Sequence, residues 1–187
     1  MNNKDQFLIS KELESNASII EEKIIKSTGE FIIRKYYKGR LLGKGGFSKC
    51  YEFTCLENKK IFAGKVVDKY RLVKPRQKQK LISEIKIHKA LHHPQIVTFD
   101  HYFEDNENAY ILLEFCGNQT LNELLKRRKR LTEIEVQCYA YQIILALKYL
   151  HSHRIIHRDL KLANLFLTDK MELKVGDFGL STKLEHE

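Results

Sequence analysis

Asp159, Lys161 and Asn164 put a carboxylate, an ammonium and an amide into one short segment, Ile156-His157-Arg158-Asp159-Leu160-Lys161-Leu162-Ala163-Asn164. A loop of that composition can orient a hydroxyl at Asp159, neutralise a phosphate with Lys161 and ligate Mg²⁺ through Asn164. Downstream, Gly176-Asp177-Phe178-Gly179 adds a second carboxylate, Asp177, suited to the same metal. A turn with an incidental aspartate would explain either segment alone. It explains both, in this order, poorly.

Two upstream features carry related chemistry. Leu42-Gly43-Lys44-Gly45-Gly46-Phe47-Ser48-Lys49-Cys50 is a glycine-rich turn between two apolar runs. Glycines there let backbone N–H groups approach a polyphosphate, although a tight hairpin with no ligand is also compatible with the segment. It is not a Walker loop, and Ser48 stands where a third glycine would complete GxGxxG. Lys65 lies inside Ile61–Val67, an alternating run. Two readings stay open: a buried cation held by Glu84 and a phosphate, or a lysine reaching solvent from an edge strand.

The elements that must position these groups can be read from periodicity. Strands are expected at Lys38–Leu42, Cys50–Cys55 and Ile61–Val67, and a pair at Val97–Phe103 and Ala109–Phe115. A helix is expected from Gln77 to Leu91 behind Pro75, with Leu81, Ile85, His88 and Leu91 on one side. Thr120-x-x-Glu123 and Thr132-x-x-Glu135 read as capping boxes, the second opening a helix to Ser152. Its apolar stripe is Val136, Ala140, Ile143, Leu147 and Leu150. Short strands follow at Leu165–Leu167 and Leu173–Val175. This is an α+β chain with a strand-rich first part and a helical second part.

Residues 1–36 read as an N-terminal extension without chemistry, flexible or forming a short docking helix with Ile19, Ile20, Ile24 and Ile25 as its stripe. The formal net charge is +9 over 187 residues, which suits a protein that handles phosphate. No aromatic-basic stacking motif accompanies that charge, so nucleic-acid binding is not expected. The four cysteines form no CxxC pair and read as reduced thiols. No signal-peptide core or membrane-length apolar run is present, so a soluble protein inside the cell, without membrane association, is expected.

Glycine turn, strand lysine, helix glutamate, HRDxxxxN and DFG stand in the order and approximate spacing of the protein-kinase signature set. Within that superfamily the chain resembles the Polo-like kinases. The resemblance is carried by Leu41 through Phe53, with Ser48 where that family has Ala. It is carried also by His157 through Leu167, where Leu162-Ala163 replace the Pro-Glu of most kinases, by Tyr102-Phe103-Glu104-Asp105, and by Leu113-Glu114-Phe115-Cys116. It spans Tyr37 to Leu184.

The resemblance implies a bilobal fold over residues 37–187, with the small lobe at about 37–116 and part of the large lobe at about 117–187. It implies ATP- and Mg²⁺-dependent phosphorylation of Ser or Thr on protein substrates, in cell-cycle control. Lys65 would hold the phosphates and pair with Glu84. Asp159 would be the catalytic base and Lys161 would contact the γ-phosphate, while Asn164 and Asp177 would bind the metal. Leu42, Cys50, Ala63 and Phe166 would enclose the adenine. The hinge Glu114–Cys116 would hydrogen-bond it behind Leu113, and Gly43, Lys44, Gly45, Gly46, Phe47 and Ser48 would cover the phosphates. Glu123 would face the acceptor side. The basic run Lys126–Arg130 reads as a solvated connector, with a nuclear-import signal or a phosphate patch as the alternatives, and the resemblance implies a surface there that favours acidic substrates.

A monomer in the cytoplasm or nucleus is expected, with centrosome or spindle association by resemblance alone. The segments that follow DFG in the resembled fold do not appear before Glu187. Three exposed stripe residues would forfeit ~5–9 kcal/mol, so this stretch alone is expected to fold poorly in its second half. The alternative function is a catalytically inactive nucleotide-binding or regulatory fragment.

Overall fold

The computed structural model describes residues 19–184. Six antiparallel strands form the first layer: β1 (Ile19–Ile25), β2 (Phe31–Lys44), β3 (Ser48–Cys55), β4 (Ile61–Asp68), β5 (Phe99–Glu104) and β6 (Asn108–Glu114). Their order is β1-β2-β3-β4-β6-β5. Tyr36, Phe53, Phe62, Phe103, Tyr110 and Leu112 form the core on one face, all nearly inaccessible. Each such ring removes enough apolar surface from water to be worth ~1.5–3 kcal/mol.

The Ile19–Ile25 stripe is a strand, not a helix. It pairs with β2 from Ile19↔Tyr37 to Ile25↔Phe31. Its isoleucines fit either period. The turn decides: Gly29 takes φ 85, and Lys26 N–H donates to Glu30 O at 2.8 Å, which closes a hairpin. Residues 1–18 of the expected extension lie outside the described part. β2 therefore starts upstream of the expected Lys38, the other expected strands fall within two residues of their bounds, and Ile155–Ile156 and Thr182–Lys183 are strands beyond those expected.

α1 (Pro75–Lys89) starts on proline, where the missing N–H costs nothing. His88 and Leu91 are buried and Leu81 and Ile85 partly so, as the spacing predicts, and Ile87 is buried in addition. α2 (Leu121–Arg128) is capped by Thr120 alone; Glu123 turns to Lys126 at 2.9 Å and does not close the box. The box before α3 (Glu133–Ser152) is reciprocal. The inward line of α3 is Tyr139, Ile143, Ala146 and Leu150. Val136 and Ala140 face solvent, because Tyr139, in the same cluster as Leu121 and Leu124, takes the inward position at the helix start.

The remaining strands are β7 (Ile155–Ile156), β8 (Leu165–Leu167), β9 (Leu173–Val175) and β10 (Thr182–Lys183). β8 pairs with β9, and β7 with β10. The β8–β9 hairpin packs with α3 and with Ile87, Leu91 and Ile96, so one core joins both layers.

Candidate active site

The sheet register lines up the first half of the site. Gly43 pairs with Cys50, Cys50 with Lys65, and Lys65 with Ile111, so one ladder crosses from the glycine turn to β6. Two residues along, Ala63 pairs with Leu113. Leu42 and Phe47 are exposed beside the turn, and Cys50 and Ala63 are partly covered. Burial pushes the Cys50 thiol up to about 11, so it is a neutral wall group at ordinary pH.

Lys65 Nζ lies 2.5 Å from Glu84 Oε1 on α1 and 3.6 Å from Asp177 Oδ1. Its side chain is 19% exposed. Burial pulls its pKa down, but the two carboxylates outweigh that and leave it above the ordinary lysine value. The open choice on Lys65 resolves as a paired, inward cation. An ammonium held between two carboxylates is fixed in place and stays charged, ready to meet a polyanion.

The second half comes from two loops tied together. His157 Nε2 is 3.0 Å from Gly176 O, and Gly176 N–H donates to Asn164 O at 3.0 Å. Arg158 and Asp177 hold φ 63 and 60, a left-handed backbone that non-glycine residues seldom adopt. Asn164 donates through Nδ2 to both Asp159 O (2.9 Å) and Asp159 Oδ2 (3.0 Å). Lys161 Nζ reaches the same Oδ2 at 2.8 Å and, with Asn164, holds the Asp159 carboxyl below its usual range. Asp159 is therefore ionised at neutral pH and able to accept a proton.

Around the glycine turn, Gly45 N–H donates to Ser48 O at 2.8 Å. A Cβ on Gly43 or Gly46 would meet nothing within 4 Å, so the missing side chains leave space over the turn. Phe166, in β8, bridges Thr120 and lies against Gly176. Leu113 and Glu114 end β6, with Cys116 two residues on. Of the expected residues, Lys65, Glu84 and Asp177 meet in one cluster and Asp159, Lys161 and Asn164 in another, the glycine turn is joined to Lys65 through the sheet register, and Glu123 is engaged by Lys126.

Two contributors lie outside the motifs, His88 and Lys174, and the motif residue His157 adds a packing contact to them. His88 is 2% exposed, hydrogen-bonds Val97 O at 2.7 Å and packs on the Phe178 ring at 4.7 Å. His157 meets the same ring edge-on at 5.2 Å. Lys174 Nζ sits 2.8 Å from Pro94 O and 3.1 Å from Glu114 Oε2. That carboxylate also accepts from Thr98 N (3.0 Å) and Thr98 Oγ1 (2.9 Å), tying β6, the segment before β5, and the strand leading to Asp177. The periodicity of α1 marks His88 as inward. No signal marks Lys174, which reads as an ordinary strand lysine.

Among the described residues no cluster of three or more His, Cys, Asp or Glu could hold a metal by itself. Asp177 and Asn164 are hard oxygen donors, the set that suits a divalent cation shared with phosphate oxygens. Among the described residues no helix is long and apolar enough to cross a membrane. The four cysteines are free thiols.

Comparison with known proteins agrees with this geometry. The protein kinase domain family matches residues 36–187. The probable serine/threonine-protein kinase CCRP1 of Zea mays is 68% identical over 170 residues, covering 91% of this chain and 27% of that protein. The serine/threonine-protein kinase polo of Drosophila melanogaster is 56% identical over 155 residues, 82% of this chain and 27% of that protein. The probable serine/threonine-protein kinase PLK of Dictyostelium discoideum is 50% identical over 181 residues, 97% of this chain and 18% of that protein. The chain thus spans about a quarter or less of the length of these relatives. A protein kinase domain works with ATP, a divalent metal and a protein substrate. With the match running from Tyr36 through the paired Lys65–Glu84 and both catalytic loops, the chain belongs to the protein kinase family, with Polo kinases among its relatives.

Proposed function

We propose that this chain carries the nucleotide site and catalytic loop of a Polo-like serine/threonine kinase acting on proteins in cell-cycle control. The observation that carries the reading is the convergence of Lys65, Glu84 and Asp177 on one side, and Asp159, Lys161 and Asn164 on the other. ATP with Mg²⁺, when bound, supplies the transferable phosphoryl group and the charge neutralisation for it.

The chain's own residues do the rest. Lys65, kept charged by its two carboxylates, binds phosphate oxygens. Asp177 and Asn164 present oxygens for Mg²⁺. The amides of Gly43 to Ser48 cover the phosphates, and Leu42, Cys50, Ala63 and Phe166 exclude water from the base. Leu113 and the backbone of Glu114–Cys116 set its orientation. Asp159 orients the acceptor hydroxyl and takes its proton, and Lys161 offsets charge beside it. Serine or threonine as acceptor is favoured by Lys161 two residues after Asp159, and by the names of the relatives.

Protein substrates, work in the cytoplasm or nucleus, and centrosome or spindle association rest on the same likeness. The test is transfer of labelled phosphate from ATP to casein, lost in Lys65→Met and in Asp177→Ala. A chain that binds ATP with Mg²⁺ but transfers nothing would overturn the transfer reading and leave a nucleotide-binding regulator.

A further inference from the structure

β1 and β5 are the two opposite edges of the six-stranded sheet, yet one buried carboxylate joins them. Glu22, on β1, is 7% exposed. Tyr36 donates its hydroxyl to Glu22 Oε2 at 2.8 Å, and His101 Nε2, on β5, lies 3.1 Å from the same oxygen. Arg34 Nη1 approaches it at 3.6 Å. The chain of contacts continues outward: His101 Nδ1 to Asp100 Oδ2 at 2.7 Å, and Lys60 Nζ to Asp100 Oδ1 at 2.7 Å. A carboxylate is costly to bury unless its oxygens are satisfied, and here three partners converge on one of them.

What this clasp fixes is the root of β2. Tyr36 is wholly buried, stacks on Phe103 at 5.6 Å with planes 15° apart, and touches Phe53 and Phe62. From Tyr36 the strand runs on without a break into the glycine turn. Along that run its pairing with β3 shifts register between Lys38 and Leu41, and again between Leu41 and Gly43. Irregular pairing holds the turn less firmly than a continuous ladder would, so the anchored end of the strand matters more.

We propose that the β1–β2 hairpin, whose first strand and turn lie upstream of the matched kinase domain, is part of the nucleotide-binding unit, and that Glu22 is a positioning residue for the glycine turn. The folded small-lobe unit then includes Ile19–Ile25, and the hairpin acts as a clasp that closes the curled sheet edge to edge. The effect on nucleotide rests on the kinase reading above; the effect on the turn does not.

The experiment uses the full chain with Glu22→Ala, Glu22→Gln and the milder Tyr36→Phe. Amide hydrogen exchange is followed peptide by peptide without nucleotide, beside thermal melting, nucleotide affinity and, where transfer is seen, KM for ATP against kcat. Glu22→Ala is expected to speed exchange across residues 41–50 about tenfold, and Tyr36→Phe less. Glu22→Gln, which keeps an acceptor for Tyr36 and can still meet His101, is expected to restore most of the protection. KM for ATP should rise several-fold in Glu22→Ala with kcat nearly unchanged. Unchanged exchange over 41–50, whether or not melting falls, would overturn the proposal. If Glu22→Ala does not fold, unchanged exchange in Tyr36→Phe would overturn it equally. Absence of nucleotide binding in the unaltered chain would count against the kinase reading while the exchange data still decided the clasp.

Discussion

Glu84 and His88 stand one turn apart on the same face of α1, and between them they hold both ends of the site. Glu84 meets Lys65 at 2.5 Å, while His88 packs on Phe178, beside Asp177, at 4.7 Å. Positions four apart on a helix lie one above the other, so one rigid element sets the lysine of the sheet and the loop of the second layer together. A shift of α1 would disturb both. This makes the helix, rather than any one side chain, the part that assembles the phosphate-facing groups.

Replacing Glu84 by Gln tests the first contact. The side chains of Lys65 and Glu84 are 19% and 12% exposed, so the cation would lose its main partner with little water to replace it. Asp177 at 3.6 Å, itself about half exposed, compensates in part. Stability should fall by about 1–3 kcal/mol, and phosphate transfer by ~100-fold or more. Thermal melting and initial-rate assays on the same preparation measure the two. An unchanged transfer rate would show that Lys65 needs no positioning.

His88 makes the stability pH-dependent. Burial lowers its pKa from 6.5 to about 4, so the folded chain keeps the ring neutral where the unfolded chain binds a proton. Stability from this group is complete above pH 6.5 and is lost progressively as pH falls toward 4. Below that both states are protonated and the loss stops growing. The shift corresponds to about 3 kcal/mol. Denaturant titrations from pH 7.5 to 4.5 should show a steeper decline in the unaltered chain than in His88→Gln. Parallel declines would place the titration elsewhere.

The chemistry of the site was legible in the sequence because its residues sit in contiguous loops with fixed spacing, as with Asp159, Lys161 and Asn164. Elements with clean periodicity and caps were legible too, such as α1 behind Pro75 and α3 behind Thr132. The β1–β2 hairpin was not, since Ile19, Ile20, Ile24 and Ile25 fit a helical stripe as well as two faces of a strand. Only the pairing partner separates the two. The inward line of α3 was misjudged at Val136 and Ala140, because an amphipathic pattern fixes a face only to within a residue when Tyr139 competes for it. Lys174 was hidden for a different reason: its partners, Pro94 and Glu114, are far away in the chain.

Lys174 and Glu114 should prove coupled. Lys174→Met removes a cation that is 11% exposed, though the Glu114 carboxylate keeps both bonds from Thr98. The expected loss is about 1–3 kcal/mol, below that of a fully stranded charge. In a double-mutant cycle with Glu114→Gln, a coupling of about 1 kcal/mol or more is expected, because the residues touch and share a network. Additive losses would mean that the contact does not tie β9 to β6.

Two glycines should separate fold from binding. A Cβ at Gly64, next to Lys65, would lie 2.7 Å from the Phe53 ring. That ring is wholly buried and has no room to retreat, so Gly64→Ala should cost about 1–3 kcal/mol by overpacking. A Cβ at Gly46 would meet nothing, and Gly46→Ala should leave melting nearly unchanged. If the turn covers phosphates, the added methyl still stands in the way of backbone N–H groups, and affinity for ATP with Mg²⁺ should drop several-fold. Calorimetric binding and melting on both variants would resolve this. Full affinity in Gly46→Ala would mean the turn does not close over the nucleotide, and the role of Gly43 to Ser48 in covering phosphates would fall.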